Sequence, residues 1–184
     1  MSHRWVLTQA VPQDLGDVVD LLNDAAARLH AKGIDQWGLD WMSSERMAPA
    51  VDRGQVYLVR EDSGRPIATV QLSTRADPDF WTEAEQRENA LYVGKLARGT
   101  EAPPGVGTAL LRWSVHHAAR REYDLVRLDA WANNGGLHSF YANEGWRHVR
   151  TCIVAGRQSG ALFEIKAERN AGVASLFEEL ASGG

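Results

Sequence analysis

The chain has 184 residues, 44% of them hydrophobic and 24% charged, a balance that fits a folded globular protein and excludes a disordered one. Its formal net charge is −4, and a general nucleic-acid surface, which needs a basic excess, is excluded with it. Cys152 is the single cysteine, so no intramolecular disulfide can form; with no secretory leader and no apolar run of membrane-spanning length, a cytoplasmic protein that does not bind membranes is expected.

In chain order, RWVLTQA (residues 4–10) is short and β-rich and breaks at Pro12, which predicts a first strand. From Asp14 onward Val18, Leu21, Leu22, Ala25 and Leu29 recur at helical spacing, and Gly33 supplies a C-terminal cap. A short helix is predicted over 43–53, capped by Ser43 or Ser44. QVYLVRED and IATVQLS, joined by the turn SGRP, read as an antiparallel hairpin. TRADPDFWTEAEQREN is polar with little periodicity. A strand follows at 90–97, then a long helix at 106–122 with Val106, Ala109, Leu110 and Trp113 on one stripe. LVRLDAW is a strand, NNGG a turn and LHSFYANE a short helix closed by Gly145. WRHVRTCIV and ALFEIKA form a closing hairpin, and the tail at 173–180 fits one or two amphipathic helical turns. The order predicts an α/β fold in one domain over residues 1–184: a mixed, mostly antiparallel sheet, parallel only around the crossover at 90–131, with flanking helices.

The stretch APPGVGTALL (residues 102–111) carries chemistry. The first turn of a helix has N–H groups without internal partners and lies at the positive end of the helix dipole, so it accepts phosphate. Gly105 and Gly107 lack a Cβ and let an anion reach the main chain. No Gly-Lys-Ser/Thr follows, so this is not a Walker-type nucleotide loop, and Leu110 stands where a dinucleotide fingerprint needs its third glycine. A lone Gly-x-Gly turn is weak evidence, but the next β-α unit carries NNGGLHSFYANEGW, with Asn134 seven residues before Tyr141.

With these two segments in this order, the chain resembles the GCN5-related N-acetyltransferase family over residues 90 to about 149. There the first motif is a strand, a Gln/Arg-x-x-Gly-x-Gly/Ala loop and a helix; the second is a strand, Asn, a short helix with an aromatic-Tyr pair, then Gly-Phe. One departure is plain: the family's Gln/Arg falls on Ala102, with Pro103 and Pro104 in the x positions. That leaves the backbone donors of Val106, Gly107, Thr108 and Ala109, with Gly105 beside them in the cofactor site, and Arg98 as a candidate substitute cation. The prolines stiffen the loop and lower the entropy lost on ordering it.

The resemblance implies acetyl-CoA as co-substrate, with its pantetheine arm along Leu96, Ala97 and Arg98 and Asn134 as a further contact. It implies direct attack by a primary amine of a small molecule or peptide, without a covalent enzyme intermediate, so Cys152 is read as a structural thiol. Tyr141 matches the general acid that protonates the leaving thiolate, since a phenol and a thiol have comparable pKa values. Glu88 and Tyr92 are candidate bases, although each also fits a structural role; Asp129, between apolar neighbours on its strand, fits either a polar pocket or hydrogen bonds from a turn, and of His116 and His117 at least one should be solvated. Trp37 and Trp81, flanked by Asp35, Asp40, Asp77 and Asp79, are candidates for holding a flat or cationic acceptor, although each also fits plain packing. No metal-ligand spacing is present. Dimers occur in the family, and the last strands offer an edge for a homodimer. A non-catalytic acyl-CoA-binding or regulatory module is the alternative, supported by the alanine at position 102.

Overall fold

The structure is a computed structural model that describes residues 4–181. In chain order its elements are β1 (Trp5–Gln9), α1 (Leu15–Ala31), α2 (Ser44–Asp52), β2 (Val56–Arg60), β3 (Pro66–Ser73), α3 (Glu83–Gln86), β4 (Ala90–Arg98), α4 (Val106–Arg120), β5 (Leu125–Trp131), α5 (Gly135–Asn143), β6 (Arg147–Thr151), β7 (Ser159–Lys166), α6 (Ala171–Ala174) and β8 (Phe177–Leu180). They form two compact units: described residues 4–72, 95–113 and 170–181 make the first, and residues 73–94 and 114–169 the second. β4 and α4 run through both.

In the first unit the strand order is β8-β1-β2-β3 and then the end of β4. β1 and β2 pair antiparallel, as do β2 and β3, giving the expected hairpin. α1 buries Val18, Leu21, Leu22, Ala25 and Ala26, against Met47, Ala50 and Val51 of α2 and Val56 and Leu58 of β2. It ends as predicted. Gly33, at φ 73°, donates to the His30 carbonyl, and Ile34 donates to that of Leu29, the Schellman pattern that closes a helix. Ser43 is the cap of α2, its hydroxyl accepting from the Arg46 N–H at 3.3 Å.

The tail departs from expectation. Beyond one helical turn it forms β8, which lies parallel to β1 with Trp5 opposite Phe177. A second parallel pair therefore exists outside the crossover. Phe177 packs on Trp5 at 5.6 Å and on Trp113 at 6.4 Å between ring centroids, and Trp113 Nε1 donates to Glu179 at 3.0 Å. A four-residue strand reading FEEL has no clear alternation, and its partner is the other end of the chain, so local sequence carries no sign of it.

In the second unit the order is the start of β4, then β5, β7 and β6. β4 and β5 are parallel over Ala90–Tyr92 and Leu125–Arg127, the expected crossover, and β5, β7 and β6 are antiparallel. The polar stretch before β4 contains helix α3, which the periodicity did not show. Its signal was a capping box: Thr82 accepts from the Glu85 N–H, and Glu85 accepts from that of Thr82. Helix α5 begins at Gly135, two residues earlier than expected, because Asn134 caps it. His116 and His117 are both buried, 7% and 9% exposed, against the expectation of a solvated one.

Candidate active site

The loop before α4 is built by main-chain contacts. Gly99 N–H donates to the Ile67 carbonyl of β3 at 2.7 Å, and a Cβ on Gly99 would stand 3.4 Å from Leu21 Cδ2. Ala102 is 7% exposed and its N–H reaches the Gly99 carbonyl at 3.3 Å. Gly105 takes φ 87°, a conformation that disfavours any side chain, and its carbonyl accepts the Ala109 N–H at 2.8 Å. That bond starts the helix and engages the Ala109 donor. Val106 N–H has only a long 3.3 Å contact with Pro103 O, so the donors of residues 106–108 precede the first helical bond. A Cβ added to Gly107 would meet only Arg98 Cδ, at 4.0 Å, so the space over this turn is open. The residues present fit a phosphate group.

Upstream, β4 kinks at Lys95, which takes φ 49°, while Lys95 Nζ donates to Gln71 Oε1 at 2.8 Å. A lysine in the left-handed region is uncommon and marks an irregularity in the strand. Its ladder with β5 ends at Tyr92. Leu96, Ala97 and Arg98 thus follow a kink that the sequence did not reveal. Ala97 is buried, and Arg98 is exposed with its carbonyl taken by Arg28 Nη2.

In the second unit Asn134 and Tyr141 sit on either end of α5. Asn134 Oδ1 accepts the Leu137 N–H at 3.0 Å, leaving its amide NH2 for other use. Tyr141 is half-buried against Phe163 at 5.2 Å, Phe140 at 5.3 Å and Trp146 at 6.0 Å. Burial, and secondarily the charge of Asp129, push its phenol up to about 12. Asp129 on β5 has its own pKa raised, first by desolvation and then by Asp77, with Ser159 and Arg157 acting against the rise.

Arg127, which lies between apolar neighbours on β5, organises this unit. Its guanidinium donates to Glu88, to Glu164 at 3.1 Å, to the Glu85 carbonyl at 2.8 Å and to the Tyr92 hydroxyl at 3.4 Å. It also lies 4.7 Å from the centre of the Trp81 ring. Glu88 and Tyr92, read as candidate bases, are therefore both engaged by one buried cation. Trp81 is 2% exposed, packed with Phe80 and Leu162 and flanked by Tyr92 and Cys152. Arg150 pairs with Glu85 at 2.7 Å and holds its carboxyl near a pKa of about 2. An arginine inside an alternating apolar strand was the sequence signal for this hub.

Trp37 lies in the first unit. Its ring stacks on Trp41 at 5.0 Å and 24°, partly buried, beside the α1–α2 core. Trp41 Nε1 is buried without a hydrogen-bond partner among the described residues.

The parallel crossover, the glycine-opened helix start and the Asn-capped helix bearing Tyr141 define the acetyltransferase class, and the profile of the Acetyltransferase (GNAT) family matches residues 18–146. The chain belongs to that family. It is 26% identical over 145 residues to the uncharacterized N-acetyltransferase YesJ of Bacillus subtilis, covering 76% of this chain and 80% of that one. Its fold is similar to a GNAT-family acetyltransferase of Listeria monocytogenes, with TM-score 0.75, 17% identity and coverage of 88% of this chain and 94% of that one. It is also similar to YncA of Salmonella typhimurium, a structure described with its cofactor acetyl-CoA, with TM-score 0.65, 13% identity and coverage of 91% and 96%. Among the described residues no helix is long and apolar enough to cross a membrane.

Proposed function

We propose that the chain is an acetyl-CoA-dependent N-acetyltransferase acting in the cytoplasm on a primary amine of a small molecule or peptide. The observation that carries this reading is the start of α4, where the N–H groups of residues 106–108 precede the first helical bond beside an open Gly107. Phosphates of acetyl-CoA would take these donors, with the pantetheine arm along residues 96–98 and the Asn134 amide as a further contact.

In the reaction the amine nitrogen bonds to the acetyl carbon, the carbon–sulfur bond breaks, and the thiolate takes a proton from Tyr141. With its phenol near 12, Tyr141 is fully protonated at neutral pH but gives its proton uphill to a thiolate, whose pKa is lower. Its role is therefore to protonate as the bond breaks rather than in a balanced exchange. Of the carboxylates, Asp129 is the one we assign as base for the amine, because Glu88 is held by Arg127. Trp37 offers a ring to the acceptor, whereas the burial of Trp81 supports packing behind it. A homodimer through the last strands remains part of the proposal.

A non-catalytic acyl-CoA-binding module is the second reading, favoured by the small, buried Ala102 and by the raised Tyr141 phenol. Calorimetry with CoA followed by thiol release with an amine panel separates the two. Turnover with any amine supports the enzyme; binding without turnover on the whole panel supports the module.

A further inference from the structure

The family's anchoring side chain is missing at Ala102, yet the Arg28 guanidinium meets the backbone of Arg98 at the same loop. Arg28 extends from the last turn of α1 and bridges Gly99. Its Nη1 donates to Thr100 Oγ1 at 3.1 Å, and its Nη2 donates to the Arg98 carbonyl. With Gly99 fixed on Ile67, the turn at 98–100 is pinned by β3 on one side and α1 on the other. The Arg98 side chain then runs past Gly107, its Cδ 4.0 Å from where a Cβ there would lie.

Neither arginine forms an ion pair with a carboxylate among the described residues. Desolvation lowers the Arg28 pKa, and the charge of Arg98 lowers it further, while Asp24, one turn earlier on α1, acts against them. Two like charges held together by backbone contacts are in tension until an anion joins them. The Arg28 fork has five donors and spends two on the turn, so donors remain for a ligand.

We propose that Arg28 replaces the missing anchor: it positions the 98–100 turn and forms, with Arg98, a two-guanidinium clamp on the diphosphate of acetyl-CoA. This rests on the acetyl-CoA reading above. It assigns to α1 a role that in this chain the loop itself no longer fills.

The test is calorimetry on the full chain with CoA, dephospho-CoA and, by competition, pantetheine. Arg28→Met should weaken CoA and dephospho-CoA about equally, by roughly ten-fold or more, and leave pantetheine unchanged. Arg28→Lys should recover part of the loss, because a lysine keeps the charge but not the fork. Arg98→Met should weaken the same two ligands, and the salt dependence of CoA binding should flatten in the two methionine variants. Melting curves establish that each variant is folded; if Arg28→Met is not, Arg28→Lys and Arg98→Met carry the test. Unchanged CoA affinity, a loss confined to CoA with dephospho-CoA spared, or an equal loss of pantetheine would each overturn the clamp. If the wild-type chain binds neither CoA nor dephospho-CoA, the acetyl-CoA reading itself fails, which is a separate result.

Discussion

The Ala109 N–H donates to the carbonyl of Gly105 at 2.8 Å, so α4 begins directly after a residue at φ 87°. Gly107 follows in the first turn with no atom nearer than 4.0 Å to an added Cβ. Replacing it should therefore leave the fold intact while filling the space above the first-turn donors. Gly107→Glu is expected to melt like the wild type and to lose CoA binding by a hundred-fold or more, through both bulk and charge. Retained affinity in a folded variant would move the phosphate site elsewhere.

Tyr141→Phe should lower turnover by about a hundred-fold, in the range of general-acid effects, with CoA affinity nearly unchanged. The same variant tests the pKa. A phenol held near 12 when folded, against about 10 when unfolded, adds stability that is complete below pH 10 and lost as pH rises towards 12. The phenylalanine variant should lose less stability over that window, by about 1–2 kcal/mol. Chemical denaturation at pH 9 and pH 12 measures it.

If Asp129 is the base, its raised pKa places the acid limb of the activity profile above the ordinary carboxylate range. Asp129→Asn should reduce turnover about ten-fold or more and remove that limb. A profile with the limb intact in the asparagine variant would assign it to another group.

Glu85 has the opposite sign. Its carboxyl is held near 2, chiefly by Arg150, so the stabilisation is present above pH 4.5 and lost as pH falls towards 2. Partial exposure of the pair reduces the effect to about 1–2 kcal/mol. Arg150→Met should raise the midpoint of acid unfolding and flatten the difference between pH 5 and pH 3 in melting curves.

The two candidate tryptophans should separate cleanly. Trp81, almost fully buried under Arg127, should cost about 3–5 kcal/mol of stability on truncation to Ala. Trp37→Ala should cost much less and instead raise the acceptor KM. Equal thermal losses in both variants would make Trp37 a packing residue too.

The order of the main strands and helices, the cap at Gly33 and the helix start at Gly105–Gly107 were all legible in the amino acids, because each rests on interactions within a few residues. Periodicity, cap chemistry and glycine conformation are local, and the two linked motifs were specific enough to name the family. The tertiary structure decided what depends on distant partners. β8 exists because Phe177 finds Trp5 and Trp113. Arg127 engages both Glu88 and Tyr92 because packing brings the three together. Arg28, an ordinary residue near a helix end, meets Arg98 some 70 positions away. Hydrogen-bond partners, desolvation and the neighbour of a charge are set by the packed chain, and no run of local sequence encodes them.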